Sequence, residues 1–410
     1  MLLKDDFIIP AHAGNYMNVQ HIIVKGANEE IGYDLALLAK QEFSTKLYSY
    51  VDPIYANGRW NYFKRVWPAQ AERMAGVAKA FNIDIANTLY DTSSLIFGKG
   101  GVGCSAVVIP PSMTASGNPL VARNFDWYMA TPSELAGGKS VKGEWKFNTR
   151  NQITEIYPTD GGFATMHISS NDLLNPWTDG INEHGLYVTV LFDPGAPALL
   201  TNISGVRDAG ISMLQLPNFL LSTCKTVNQC KSAILQQHIY FAEGQGIHYL
   251  IVDETGAATV FEVDAETGQY FFTDAKKDTP FVVTNHPLHK HPDLYSYPLV
   301  FMDEEHNSFT RVCMLDEEIE YHEGLFTLES LRVVIDTVLC AFIDGERAGV
   351  KRPFPERTFW SICADLGERQ LQTMFYLGDE GTISGTNRIR TKRQPINLSF
   401  SQLPAMSRNE

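Results

Sequence analysis

The hydrophobic pattern of this chain changes period at one point, and a cysteine sits there. Before Gly103, residues 28 to 49 and 66 to 82 place apolar side chains at helical spacing, as in Ile31, Leu35, Leu38 and Phe43, with Pro68 and Asn82 as boundaries. After Cys104 come short β-branched runs separated by turn residues: Val107 to Ile109, Leu186 to Phe192, His248 to Val252 and Thr259 to Val263. The stretches Asp253 to Gly256 and Asp264 to Gly268 read as hairpin turns. Helical stretches near 207 to 236 and 325 to 343 interrupt the strands, and runs at 359 to 364 and 373 to 376 follow. That order implies an α+β fold. The polar tail from Gly385 onward is expected to be ordered only by wrapping the body.

Cys104 opens a predicted strand, and the next strand, Leu120 to Trp127, returns an Arg and an Asp toward it. A free thiol titrates near 8.5 and an α-amino group near 8, so a cysteine at a chain start holds nucleophile and base on one residue. Reaching that state requires cutting the Gly103-Cys104 bond. Gly103 suits the cut, having no side chain to shield its carbonyl and a wide choice of backbone angles. The alternative is that Cys104 is simply a small buried apolar residue.

Five segments, in order, carry a resemblance: Gly103-Cys104-Ser105, Arg123-Asn-Phe-Asp-Trp127, Asn182-Glu-His-Gly-Leu186, Thr284-Asn285-His286-Pro287 and Ser308-Phe-Thr-Arg311. With these the chain resembles N-terminal-nucleophile amide hydrolases of the choloylglycine hydrolase and penicillin acyltransferase type. Weaker similarity covers most of the chain, including Ala27-Asn-Glu-Glu-Ile-Gly-Tyr33 near the start and the helix-like stretch Leu216 to Val227. The resemblance implies a four-layer αββα sandwich, two antiparallel sheets flanked by helices. It implies a helical segment 1–103, propeptide or fragment, before a catalytic domain 104–410. The activity it implies is cleavage of linear C–N amides in N-acylated small molecules after self-cleavage at Gly103-Cys104. An acyltransferase using an amine acceptor, or an unprocessed binding protein of this fold, stand as alternatives.

The resemblance also assigns roles. Cys104 is the nucleophile, Asp126 orients its freed amino group, and Arg123 supports thiolate charge. Arg123 and Asp126 fall on opposite faces of a regular strand, so a bulge or turn near Asn124 is expected. Asn285 is the oxyanion donor and Arg311 faces the nucleophile, although the interval between them is short compared with bile-salt hydrolases. Each has a plainer reading: an Arg-Asp ion pair, an Asn capping a turn before Pro287, and an Arg paired with Asp316, Glu317 or Glu318. Where bile-salt hydrolases carry an oxyanion Asn, this chain reads Phe192, which leaves the second donor to a backbone N–H and makes the pocket more apolar. Phe125, Trp127 and Phe192, with Tyr128 nearby, are therefore candidate contacts for an aromatic or fatty acyl group.

Competing chemistry rests on histidines. His286, His289, His291 and His248 could supply a base for a papain-like thiol enzyme, or His286-x-x-His289-x-His291 could hold a metal with Asp293. That spacing suits no regular helix face, and neither reading uses the Gly-Cys junction, so neither metal nor other cofactor is expected. A formal charge of −14 without a basic run argues against nucleic acid and anionic membrane surfaces as partners. The expected partner is a small N-acyl amide, with a homo-oligomer also compatible. The start, with Asp5 and Asp6 before a short apolar run, does not read as a secretion signal, and no stretch is long enough to insert in a membrane. Six cysteines without metal spacing suggest a reducing, cytoplasmic setting.

Overall fold

The computed structural model describes residues 1–95, 103–135, 137–170, 172–193, 210–240, 246–264, 266–298, 307–343, 346–347, 350–351 and 354–402. Two large sheets organise them. The first has nine strands, in the spatial order Leu2–Ile9, Asn18–Gly26, Arg150–Pro158, Thr165–Ser169, Asp179–Asn182, Tyr187–Phe192, Ile247–Val252, Ala258–Val263 and Tyr270–Asp274. The second has six: Phe281–Val283, Gly103–Ile109, Leu120–Tyr128, Glu356–Asp365, Gln370–Thr382 and Ile389–Leu398. One pair, Asn18–Gly26 with Arg150–Pro158, runs parallel, which corrects the expectation of two wholly antiparallel sheets.

Alternation along the strands sorts side chains between layers. On Gly103–Ile109, Cys104, Ala106 and Val108 join an apolar cluster containing Ile153, Met166, Ile168, Ile181, Val188 and Val190 of the nine-stranded sheet. Val107 and Ile109 point the other way, into a cluster with Leu315, Ile319, Leu331 and Ile335 from helices Ser308–Glu320 and Leu328–Asp336. A third cluster sets Ile31, Leu35 and Val77 of helices Asn28–Glu42 and Pro68–Ala80 on Ile22, Val24 and Ile156 of the nine-stranded sheet. Strand period 2 therefore places Cys104 between the sheets.

Several expectations need amending. The predicted front helices end earlier, at Glu42 and Ala80, and a further helix, Pro53–Val66, lies between them. The stretch predicted near 207 to 236 is two helices, Leu216–Thr223 and Val227–Leu235; residues 207–209 lie outside the described residues. The front is not only helical: Leu2–Ile9 and Asn18–Gly26 are strands of the nine-stranded sheet. The polar tail is not a wrap but an edge strand, Ile389–Leu398, and its last residues, 403–410, lie outside the described residues. The two proposed turns are present, with Gly256 at φ 86° and Gly268 at φ 70°. Among the described residues no helix is long and apolar enough to cross a membrane.

Candidate active site

Gly103–Ile109 and Leu120–Tyr128 pair antiparallel, with Cys104 opposite Phe125, Ala106 opposite Arg123 and Gly103 opposite Asp126. Directly opposed residues share a face, so the Cys104 thiol and the Arg123 guanidinium both point between the sheets. Arg123 Nη2 lies 3.2 Å from Cys104 Sγ and donates to the Val190 carbonyl at 2.7 Å, while Nε donates to Thr189 Oγ1 at 2.9 Å. The same guanidinium forms a fully buried ion pair with Asp179 at 2.9 Å. Asp179 also accepts from Trp360 Nε1 at 2.8 Å and from Thr189 Oγ1 at 2.6 Å. Burial pushes the Cys104 thiol up, and Arg123 opposes that shift.

Asn285 reaches Cys104 through the other neighbouring strand. Phe281, Val282 and Val283 pair with Val108, Val107 and Ala106, and continuing that register sets Asn285 opposite Cys104. There its side chain takes the place of a backbone partner: Asn285 Oδ1 accepts from Cys104 N at 3.0 Å, while Nδ2 donates to the Phe192 carbonyl. Ser308 fixes the backbone, since its Oγ accepts from both Asn285 N and His286 N at 2.7 Å. One helical turn on, Arg311 Nη2 donates to Asn285 Oδ1 at 2.6 Å, and Nη1 donates to Ser105 Oγ at 2.8 Å and to the Cys104 carbonyl. Asn307 caps this helix by accepting from Thr310 N, which orients the first turn carrying Arg311.

Asp126 lies on the opposite face from the thiol. Its Oδ1 accepts from Thr358 Oγ1 at 2.6 Å, and Oδ2 lies 3.4 Å from where a Cβ on Gly103 would stand. It is therefore beside the junction residue and not beside sulfur. The expected bulge near Asn124 is displaced: Leu120–Tyr128 runs on unbroken, and the irregularity falls between Thr358 and Trp360 of the neighbouring strand, opposite Asp126 and Phe125. Gly103 also needs a different reason. Its backbone is ordinary strand, and what favours glycine is the crowding of any Cβ against Asp126.

The proposed acyl contacts separate. Phe125 is stacked at 3.9 Å on Trp360 and at 5.1 Å on Trp127, and Trp127 packs against Phe147 and Trp177. Both are core residues here, which corrects their assignment as open pocket walls. Phe192 is half-buried at a strand end beside Asn285. The matched segment's Pro194 and Gly195 lie outside the described residues.

Two of the histidines share one carboxylate: His248 Nδ1 lies 3.2 Å from Glu262 Oε1 and His289 Nδ1 lies 3.1 Å from Glu262 Oε2. His286 Nδ1 meets Ser308 Oγ at 2.8 Å, His289 contacts Glu262 and Asp264, and His291 Nδ1 donates to the Ser296 carbonyl at 2.7 Å. Asn182 has a structural role: Nδ2 donates to the Leu221 and Cys224 carbonyls, and Oδ1 accepts from His184 N and Leu186 N around Gly185 at φ 74°. Asp179 and Glu262 were not singled out by sequence reasoning, which named His248 only as an alternative base. For Glu262 the usable signal was an acid inside the largely apolar strand Ala258–Val263, because a buried carboxylate requires a cation or several donors.

An Arg thus stands at a buried thiol, with a second Arg and an Asn amide at that cysteine's backbone, next to Gly103. The family described as Acyl-coenzyme A:6-aminopenicillanic acid acyl-transferase matches residues 113–326, just over half of the chain, and the chain belongs to that family. The matched span includes Arg123, Asp126, Asn285 and Arg311 and begins after Cys104. Among solved structures, two variants of conjugated bile acid hydrolase from Clostridium perfringens are similar at 15% identity. They cover 75% and 73% of this chain and 99% and 100% of theirs, with TM-scores of 0.44 and 0.47. Penicillin V acylase from Agrobacterium tumefaciens is similar at 16% identity over 66% of this chain and 83% of its own, with a TM-score of 0.41. None of the curated proteins matches.

Proposed function

We propose that this chain is a cysteine N-terminal-nucleophile amidohydrolase that cuts itself at Gly103-Cys104 and then cleaves linear amides of N-acylated small molecules. The observation that carries the reading is the convergence on one residue: Arg123 at Cys104 Sγ, Asn285 at its N and Arg311 at its carbonyl. In the first step Sγ attacks the Gly103 carbonyl carbon, the C–N bond breaks, the nitrogen takes the proton, and a thioester forms. Water hydrolyses it, leaving a Gly103 carboxylate and a Cys104 bearing a free amine and a free thiol. Asp126, beside Gly103, and Asn285 Oδ1, already an acceptor from this nitrogen, then hold the new amino group as base.

In turnover the thiol attacks the substrate carbonyl, the amine leaves, and water takes the acyl group. Asn285 Nδ2 uses one hydrogen on Phe192, so its second is the donor for the oxyanion. Phe192 supplies apolar surface for the acyl group. The family name favours a second reading, in which an amine takes the acyl group from the same thioester.

The three apolar clusters support an αββα layering, and the sharing of one sheet by residues 1–103 and 104–410 supports two fragments that stay associated after the cut. Amine release from N-acyl amino acids, penicillins, bile-salt conjugates and acylated lactones tests the reading. No release from any of the four contradicts it.

A further inference from the structure

We propose that His248, held by Glu262, is a positioning residue that sets the Asn285 segment against Cys104; the proposal deepens the hydrolase reading and rests on it for its effect on turnover. Asn285 follows the edge strand of the six-stranded sheet, and besides Ser308 and Arg311 of the helix its segment is held by the nine-stranded sheet. His248 Nε2, on Ile247–Val252, donates to the Thr284 carbonyl at 2.8 Å, one residue before Asn285. His248 Nδ1 lies 3.2 Å from Glu262 Oε1 on the adjacent strand Ala258–Val263, and both side chains are buried. Glu262 also accepts from Leu288 N at 2.7 Å and from His289 N at 2.9 Å. One carboxylate thus fixes the far end of the segment while its imidazole partner fixes the near end. On the strand next to His248, the Phe192 carbonyl accepts from Asn285 itself.

Both ring nitrogens of His248 face acceptors, a carbonyl and a carboxylate, so only the doubly protonated ring donates to both. Burial alone would push this imidazole down, but Glu262, Asp193 and the Thr284 carbonyl outweigh it and hold it above its usual value. Burial likewise pushes Glu262 up, and His248 with the Leu288 and His289 amides brings it down to about 2. The charged and titratable groups around the pair are Asp193 just after Tyr187–Phe192, Asp264 just after Ala258–Val263, His286, His289 and Lys290 on the segment, and Arg311 on the helix. A histidine raised in the fold contributes fully below its unfolded value and loses that contribution as pH rises through its folded value. A depressed carboxylate contributes above its unfolded value and loses it as pH falls toward about 2. The clamp therefore stays closed to a higher pH than an unperturbed imidazole would allow and opens as pH rises through the raised His248 value, where neutral His248 turns a lone pair toward Glu262.

The experiment pairs kinetics with a readout that does not need turnover. His248→Leu should lower kcat by about 10- to 100-fold with KM nearly unchanged, the scale of a misplaced catalytic group. Glu262→Gln, whose amide can donate to a neutral ring, should retain more turnover than His248→Leu and lose the alkaline fall in kcat. In the full-length Cys104→Ala protein, NMR titration of His248 should give a value above the usual ~6.5. A His248→Leu enzyme within twofold of wild-type kcat, or a His248 that titrates at or below ~6.5, overturns the proposal. If wild type releases no amine from any amide, the hydrolase reading fails, and the clamp is still decided by the NMR titration.

Discussion

The two faces of the strand pair 103–109 and 120–128 differ in what they do with charge. The inner face holds Cys104 and Arg123, and the counter-charge for Arg123, Asp179, comes from the opposite sheet. The outer face holds Asn124 and Asp126, whose partners are local: Asn124 Nδ2 donates to the Ile335 carbonyl of the covering helix, and Asp126 accepts from Thr358 next door. The thiol thus meets a guanidinium whose counter-charge lies across the sheet interface, whereas the nitrogen of Cys104 donates to Asn285 beside its own sheet. On the proposed reading Cys104 acts first as part of a peptide and later as a chain start, and separate partners for its sulfur and nitrogen suit that change.

The largest effect expected is from Cys104→Ala, which removes the inner-face nucleophile. Self-cleavage and amide hydrolysis should both disappear, while Cys363→Ala, deep in the helix-side cluster, keeps turnover. Intact mass and amine release read the two. Asp179→Asn should come next, because it leaves Arg123 buried without its counter-charge. A loss of about 3 to 5 kcal/mol in urea unfolding is expected. A loss under ~1 kcal/mol would mean that Arg123 does not depend on the opposite sheet.

Asn285→Ala should lower kcat by about 100- to 1,000-fold with a smaller effect on substrate affinity. A rise in KM at constant kcat would make Asn285 a binding residue instead. The smallest effect is a shift in pH dependence. Burial raises the thiol value, so the thiolate fraction, and with it the self-cleavage rate, should climb through the alkaline range. Arg123→Met should move that limb further alkaline, since Arg123 is what opposes the rise. An unchanged limb would separate Arg123 from the thiol.

What sequence made legible follows the same division. Cys104, Arg123, Asp126, Asn285 and Arg311 were all readable from ordered motifs, and the structure gathers them around one junction, with Asp126 beside Gly103. Asp179 and His248 were not readable as partners, because their roles arise from contacts between distant strands that no local spacing records. Two of the missed strands are edges. Leu2–Ile9 carries Lys4, Asp5 and Asp6, and Ile389–Leu398 carries Arg390, Lys392 and Arg393, so charges that discourage edge pairing also masked the strand pattern. Phe125 and Trp127 were misread because aromatic residues beside a nucleophile suit a pocket and a core equally, and only packing against Trp360 and Trp177 distinguishes them.

The central claim is that Cys104 acts as a chain start. Intact-mass analysis of purified wild-type protein, with amine release assayed on the same sample, tests it most directly. The account predicts two associated chains, residues 1–103 and 104–410, with a free α-amine on Cys104 and activity that appears with the cut. A single uncut chain that hydrolyses amides at full rate would contradict it.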